Sequence, residues 1–141
     1  TAFSKAAAAP SDSWARFDPA WVRPLMLAED GAYNPFLLES AICVADDRVV
    51  FGAAATAAEA AGKGARMALR SFKTLLSVSD LDRALNTAAP ASIDPNRRFT
   101  MRDLIVLYLA YLLAAIDRAI ALDPELAAVE TFHWRYAAPA F

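Results

Sequence analysis

The chain has 141 residues, and its 14 Lys and Arg nearly balance its 16 Asp and Glu, which leaves a formal net charge of −2. This length allows one compact domain and excludes a two-domain protein within these residues. The slightly acidic balance lacks the basic field with which proteins attract a phosphate polymer, so we expect no nucleic acid partner.

Cysteine content and hydropathy favour a cytoplasmic protein without a membrane partner. Cys43 is the single cysteine and cannot form an internal disulfide, and no cationic leader precedes an apolar core. The longest uncharged apolar run, residues 104–116, is shorter than the roughly 20 residues that span a bilayer. We therefore expect it to be a buried helix. Peripheral membrane binding through residues 104–120 is disfavoured because that face lacks a flanking belt of Lys and Arg.

The N-terminal part of the chain predicts a loop followed by a short strand. Residues 10–19 mix Pro, Ser and Asp with Trp14 and Phe17, a composition typical of a loop whose aromatic side chains dock on a surface. Residues 21–27 then predict a short strand, in which Pro24 favours an edge or an end position.

A hairpin and an alanine-rich helix are predicted next. Two apolar runs at residues 41–45 and 49–51 are separated by Asp-Asp-Arg, which predicts a β-hairpin. Residues 53–61 are strong helix formers that stop at the Gly-Lys-Gly of 62–64. Residues 67–76 predict an extended entry into a short helix, whereas the polar residues 80–95 predict a surface connection.

The C-terminal third is dominated by one long helix. Thr100 and Asp103 have the spacing of a capping box, and apolar residues recur every three or four positions until Asp123 and Pro124 stop the pattern. Residues 131–141 alternate aromatic and polar side chains and predict a strand. Strands, then helices, then a strand indicate an α/β or α+β domain.

Few residues point to chemistry by themselves. Cys43 and His133 are 90 positions apart without a second ligand near either, so the sequence predicts no metal site. No serine lies in a glycine-flanked elbow, and residues 62–64 lack the spacing of a phosphate loop. Lys73 lies among apolar neighbours, where a lysine either snorkels from a packed helix or faces an anion. Thr1, at the start of a strand, could help to cradle a phosphate.

Taken in order, six short segments resemble the N-terminal part of the nucleotide-binding domain of the DnaK-like, seventy-kilodalton heat-shock chaperone family. They are TAFSKA at 1–6 (first phosphate loop), ESAICV at 39–44 (Pro-Ser-x-Val strand), RVVFG at 48–52, SFKTLL at 71–76 (lysine segment), FTMRDL at 99–104 (start of a long helix) and APAF at 138–141 (Val-Pro-Ala strand). Ala2, Glu39, Thr74 and Ser77 depart from the family pattern, so the resemblance is to a divergent member.

The resemblance implies a partial actin-like ATPase lobe of the ribonuclease H-like type, with mixed strands and one long amphipathic helix. Residues 1–141 would form a single domain, a fragment of the first lobe, with a mainly helical subdomain at 53–123. Thr1, Ala2 and Phe3 would grip the nucleotide phosphates, and Lys73 would be the catalytic lysine of Mg-ATP hydrolysis.

The family's magnesium ligands and adenosine contacts match no segment of this chain. The resemblance therefore implies that ATP and Mg²⁺ are bound only in a complete parent and that this chain alone is inactive. The implied partners are the rest of the parent ATPase domain and polypeptide clients or co-chaperones. Exposed strand edges could also produce a homodimer. The alternative that the residues leave open is a non-catalytic α/β interaction module that docks a partner through Trp14, Trp21 and Trp134.

Overall fold

The structure is a computed structural model that describes residues 2–4, 22–28, 34–62 and 64–134; at 2–4, 22, 23, 73 and 76 it describes the backbone alone. Ten helices and strands follow one another within these residues. They are β1 (Ala2–Ser4), β2 (Val22–Pro24), β3 (Ala41–Ala45), β4 (Arg48–Phe51), α1 (Gly52–Ala61), β5 (Leu69–Arg70), α2 (Phe72–Leu76), α3 (Leu81–Asn86), α4 (Met101–Leu122) and α5 (Pro124–Ala127).

The fold is mixed α/β, as predicted, and it divides into two compact units that are described separately. The first unit comprises Thr1–Leu38 and Ala115–Val129, and the second comprises Glu39–Ala114 and Glu130–Phe141. Helix α4 is continuous and contributes its first part to the second unit and its last part to the first.

The first unit contains a two-stranded antiparallel ladder, in which β1 pairs with β2. The strand predicted at 21–27 is confirmed at Val22–Pro24, and Pro24 takes the end position that its missing N–H favours. Leu25 and Leu27, which follow it, are buried. The predicted end of the long helix is also confirmed, because Asp123 begins α5 by accepting a hydrogen bond from the amide of Glu125 at 2.9 Å.

The second unit is built on a three-stranded antiparallel sheet in the order β4-β3-β5. The predicted hairpin is confirmed, with Asp46 and Asp47 at its turn in the left-handed region at φ 49° and 61°. Asp tolerates this conformation, and such turns match the twist of the flanking strands. All five residues of β3 are buried, because this strand is central in the sheet and α1 packs on it through the fully buried Ala55.

The core of the second unit joins the sheet to the first part of α4. Ile42, Cys43 and Leu104 are fully buried within it, and Tyr108 is nearly so. The predicted capping box is confirmed, since the amide of Asp103 donates to Oγ1 of Thr100 at 3.2 Å and Oδ2 of Asp103 accepts from the amide of Thr100 at 2.8 Å.

The prediction of a surface connection at residues 80–95 is confirmed for most of the segment, whose residues are largely exposed, but the segment also contains a short helix and three buried residues. Asp80 caps the short helix α3 by accepting from the amide of Arg83 at 3.1 Å. Farther along, Ala89, Ile93 and Asp94 are buried. The backbone explains this burial, because the carbonyl of Ile93 accepts from the amide of Val44 at 2.9 Å and so places the segment beside β3. The polar composition of the segment predicts exposure, but it gives no sign that Ile93 forms a hydrogen bond with Val44, which lies far away in the sequence.

Helix α4 begins and ends where predicted, but it is less buried than predicted. It extends over 22 residues and contains an 18-residue segment with a mean hydropathy of 2.0, so by length and composition alone it could cross a membrane, a property shared by core helices of soluble proteins. Only 22% of its most apolar segment is buried. The expectation of a buried helix therefore holds for one face alone.

The predicted C-terminal strand is wrong over residues 131–134, which form no strand. Its remaining part, residues 135–141, lies outside the described residues, as does the predicted aromatic loop at 10–19.

Candidate functional site

The residues predicted to bind phosphate are described only in part. Thr1 lies outside the described residues, and Ala2 and Phe3 are backbone positions of β1 opposite Pro24 and Arg23. Lys73 is the second residue of α2, and its side chain lies outside the described part of the chain. The predicted approach of Thr1 and Lys73 to one phosphate group therefore stays a prediction.

An open cleft of about 440 Å³ lies directly before Lys73 in the second unit. Its lining consists of Ser40, Arg70, Ser71 and Phe72. Two hydroxyl groups and an aromatic ring therefore border the cleft, and none of the four lining side chains is a carboxylate or an imidazole. The lining therefore provides no general base.

Strand pairing explains how Ser40 and Ser71, which are 31 positions apart, come to line one cleft. Ala41 of β3 lies opposite Arg70 of β5 in antiparallel register, so Ser40 and Ser71, one residue beyond each, reach the same end of the ladder. Ser71 adopts the left-handed conformation at φ 52°, ψ 51°, which turns the chain from β5 into α2. The carbonyl of Ser71 accepts from the amide of Thr74 at 3.0 Å and closes that turn.

A hydrogen-bonded polar chain holds Arg70 against α1. Nη2 of Arg70 donates to Oε2 of Glu59 at 2.6 Å and to Oγ1 of Thr56 at 3.1 Å. Oγ1 of Thr56 in turn donates to Oε2 of Glu39 at 2.5 Å. The second oxygen of Glu59 accepts from the amide of Ala68 at 3.1 Å. Arg70 is thus fixed in place by groups of this chain and is not a free cation.

The hydrogen bonds of Glu59 and Arg70 also shift the pKa values of both groups. The hydrogen bond from Arg70, followed by that from the Ala68 amide, holds the pKa of Glu59 below its ordinary value. The hydrogen bond to Glu59 likewise raises the pKa of Arg70. Both groups are therefore charged at neutral pH, and an anion in the cleft would compete with Glu59 for the guanidinium.

Aromatic rings connect the cleft to the core of the second unit. The ring of Phe72 packs on that of Tyr108 with centroids 4.8 Å apart and planes tilted by 50°. Tyr108 contacts Tyr111 at 6.1 Å, and Tyr111 stacks on Phe51 at 4.7 Å. These contacts fix the start of α2, and with it the backbone of Lys73, against α4 and β4.

The described residues do not by themselves fit a magnesium ion. Within the described ranges no three His, Cys, Asp or Glu side chains lie close enough together to hold a metal. Near the cleft, both carboxylate oxygens of Glu59 accept hydrogen bonds from Arg70 and Ala68. Cys43 is buried, and burial raises the pKa of its thiol, which is the opposite of what a metal ligand requires.

Comparisons with known proteins return no relatives. No protein-family model, no curated protein and no solved structure matches the chain. Of the three tryptophans expected to dock a partner, Trp134 is 46% exposed, and Trp14 and Trp21 lie outside the described residues.

Proposed function

We propose that the chain is part of the nucleotide-binding domain of a divergent DnaK-like chaperone, an actin-like ATPase of the ribonuclease H-like type. In this proposal the chain contributes the first phosphate loop and the catalytic lysine, Lys73. The observation that carries the proposal is the order of elements along the chain. A hairpin, a glycine, a small-residue helix, a short strand, a short helix and a capped long helix succeed one another where the family-like segments stand.

At Gly52, the end of the family-like segment RVVFG coincides with the junction between β4 and α1. The segment RVVFG ends on this glycine, and α1 begins at it directly after β4 ends at Phe51. Gly52 has φ +55°, a conformation that costs other residues strain, and the hydroxyl of Tyr111 lies 3.3 Å from the position that a Cβ would occupy. A glycine here is thus a physical requirement of the turn, which supports reading the segment as a structural motif.

Lys73 has the central chemical role in the proposal. Phosphoryl transfer depends on positioning and on stabilising the charge that develops on the phosphoryl oxygens. A lysine ammonium beside the γ-phosphate and the attacking water would supply that charge, at about 4 kcal/mol or more, which is roughly a thousandfold in rate. Backbone amides at Thr1, Ala2 and Phe3 would orient the phosphates with fixed dipoles.

The remaining groups of the site would come from other segments of a longer parent. Because the described residues do not fit Mg²⁺, we assign no step of this chain to the metal. Mg²⁺ ligands and adenosine contacts would belong to the rest of the parent ATPase domain, and polypeptide clients or co-chaperones would be its further partners. The proposal places the parent in the cytoplasm. The 141-residue chain alone is expected to bind Mg-ATP weakly or not at all.

Mg-ATP turnover by the parent and its Lys73→Met variant tests the proposal. We expect Lys73→Met to lower turnover by about a thousandfold or more while ATP binding is largely kept. Lys63→Met, which removes the lysine between Gly62 and Gly64, is the matched control and is expected to keep turnover. Unchanged turnover in Lys73→Met, or a parent without turnover, would overturn the assignment.

A non-catalytic interaction module is the second candidate function. It is favoured by the apolar side chains that α4 exposes, above all Val106, Leu109 and Leu113. A parent that neither binds nor hydrolyses Mg-ATP would support this candidate over the ATPase.

A further inference from the structure

Helix α4 carries a second apolar face opposite the one that packs on the sheet. Val106, Leu109 and Leu113 are 57%, 50% and 43% exposed. Their spacing of three and four residues places them on one side of the helix, which we call the outer stripe. Leu104 and Tyr108, which are 0% and 5% exposed, lie on the other side. A helix that is apolar all round and buried on one side alone has an unpartnered face.

The outer stripe has a positively charged residue at one end and a negatively charged residue at the other. Arg102 lies four residues before Val106, and Asp117 lies four residues after Leu113, so both share the side of the helix that carries the stripe. Both are exposed. Nη2 of Arg102 lies 2.9 Å from Oδ1 of Asp82, whereas no salt bridge joins Asp117 to any other residue that the structure describes.

We propose that the outer stripe is covered by a second copy of this chain, with the two α4 helices antiparallel about a twofold axis. The axis passes between Leu109 and Ala110. In that register Arg102 of each copy faces Asp117 of the other, Val106 faces Leu113, and Leu109 faces Ala110. In a twofold interface the same surface of both copies meets, so this surface must be complementary to itself. The outer stripe meets this condition, because its opposite charges face each other and its large side chain at Leu109 faces the small Ala110.

The charges of Arg102 and Asp117 favour the antiparallel dimer over a parallel dimer and over binding to a lipid surface. A parallel pair would place Arg102 beside Arg102 and Asp117 beside Asp117, and like charges repel. A lipid surface would require a cationic flank, whereas Arg102 is followed by Asp103 and Asp117 by Arg118. A membrane span is disfavoured by the opposite face, where Tyr108 is buried and donates a hydrogen bond to the backbone of Glu39.

The area of the stripe sets the expected strength of the pair. Three large apolar side chains on each copy cover much less than the ~800 Å² per partner of a standard interface. We therefore expect a reversible dimer with a dissociation constant on the order of 10–100 µM.

Sedimentation equilibrium of the 141-residue chain tests the apolar part of the proposal. Leu109→Glu places a charge at the centre of the interface and is expected to weaken dimerisation by about tenfold or more. Leu37→Glu is the matched control, because Leu37 is 65% exposed and lies outside α4, and it is expected to leave the dimer unchanged. A chain that stays monomeric well above the expected dissociation constant would overturn the proposal. A dimer insensitive to Leu109→Glu would indicate strand-edge pairing and would overturn it too.

Charge reversal tests the register. Arg102→Asp and Asp117→Arg are each expected to weaken the dimer several-fold, and the double variant is expected to restore it, because opposite charges face each other again. Circular dichroism verifies that each variant is folded. A double variant no tighter than the single variants would overturn the antiparallel register. Binding to anionic vesicles that Leu109→Glu abolishes would identify a lipid surface as the occupant and would also overturn the proposal.

Discussion

The hydroxyl of Tyr108 lies 3.2 Å from the backbone oxygen of Glu39, 69 residues earlier in the chain, and donates a hydrogen bond to it. Tyr108 is 5% exposed, and its ring packs on Phe72. One side chain of α4 therefore contacts both the residue that leads into β3 and the first residue of the helix that carries Lys73. Stability of the second unit and geometry of the cleft depend on the same contact.

Tyr108→Phe is expected to lower the free energy of unfolding by about 0.5–1.5 kcal/mol. The loss is modest because the ring remains and the carbonyl of Glu39 still accepts a hydrogen bond from the amide of Ala41 at 2.9 Å. Tyr108→Ala, which also removes the ring from the core, is expected to cost about 3–5 kcal/mol. Urea unfolding of the three proteins measures both. Equal losses in the two variants would show that the hydroxyl and not the ring stabilises the fold.

Gly52→Ala is expected to destabilise the chain by about 1–3 kcal/mol, because φ +55° strains an L-residue and the new methyl group meets the hydroxyl of Tyr111 at 3.3 Å. Gly64→Ala is the matched control. Gly64 also has a positive φ, at +87°, but nothing lies within 4 Å of the added Cβ. We expect a smaller loss there, and thermal unfolding of both variants compares them. A larger loss at Gly64 would contradict the steric argument.

Elements with local signals could be predicted from the sequence. Two apolar runs around Asp46 and Asp47 indicate a hairpin, and Thr100 with Asp103 indicates a helix start, because the interactions that form each lie within a few residues. Helix α3 and the buried segment around Ile93 were missed. Their positions depend on Val44 and Ile93, which are 49 residues apart and meet only in the folded chain.

The candidate site was predictable to a smaller extent. The resemblance selected Lys73, but nothing in the sequence indicated that Ser40 and Ser71 line one cleft, since the pairing of β3 with β5 brings them together. Periodicity identified the buried face of α4 correctly. It could not show that Leu109 is exposed, because in a helix that is apolar all round the pattern does not reveal how many faces are covered.

Asp94 is expected to stabilise the loop before α4. Its side chain is fully buried, Oδ2 accepts from the amide of Phe99 at 2.9 Å, and Oδ1 has no hydrogen-bond partner among the described residues. Asp94→Ala leaves the Phe99 amide unsatisfied and is expected to cost about 1–3 kcal/mol. Asp94→Asn keeps an oxygen that can accept from the Phe99 amide, so we expect a smaller loss. Urea unfolding ranks the two variants, and a larger loss for Asp94→Asn would contradict this order.

Glu59 is expected to make the fold acid-sensitive. The hydrogen bonds from Arg70 and from the Ala68 amide lower its pKa below the ordinary 4.5, so its contribution is fully present above that value and is lost as pH falls through the lower folded pKa. Glu59→Gln is expected to lower the melting temperature at neutral pH and to flatten its decline as the pH falls below 4.5. A residual slope is expected, because hydrogen bonds from Thr100 also lower the pKa of Asp103. Glu130→Gln, at an exposed position, is the control, and an equal effect there would refute the role of Glu59.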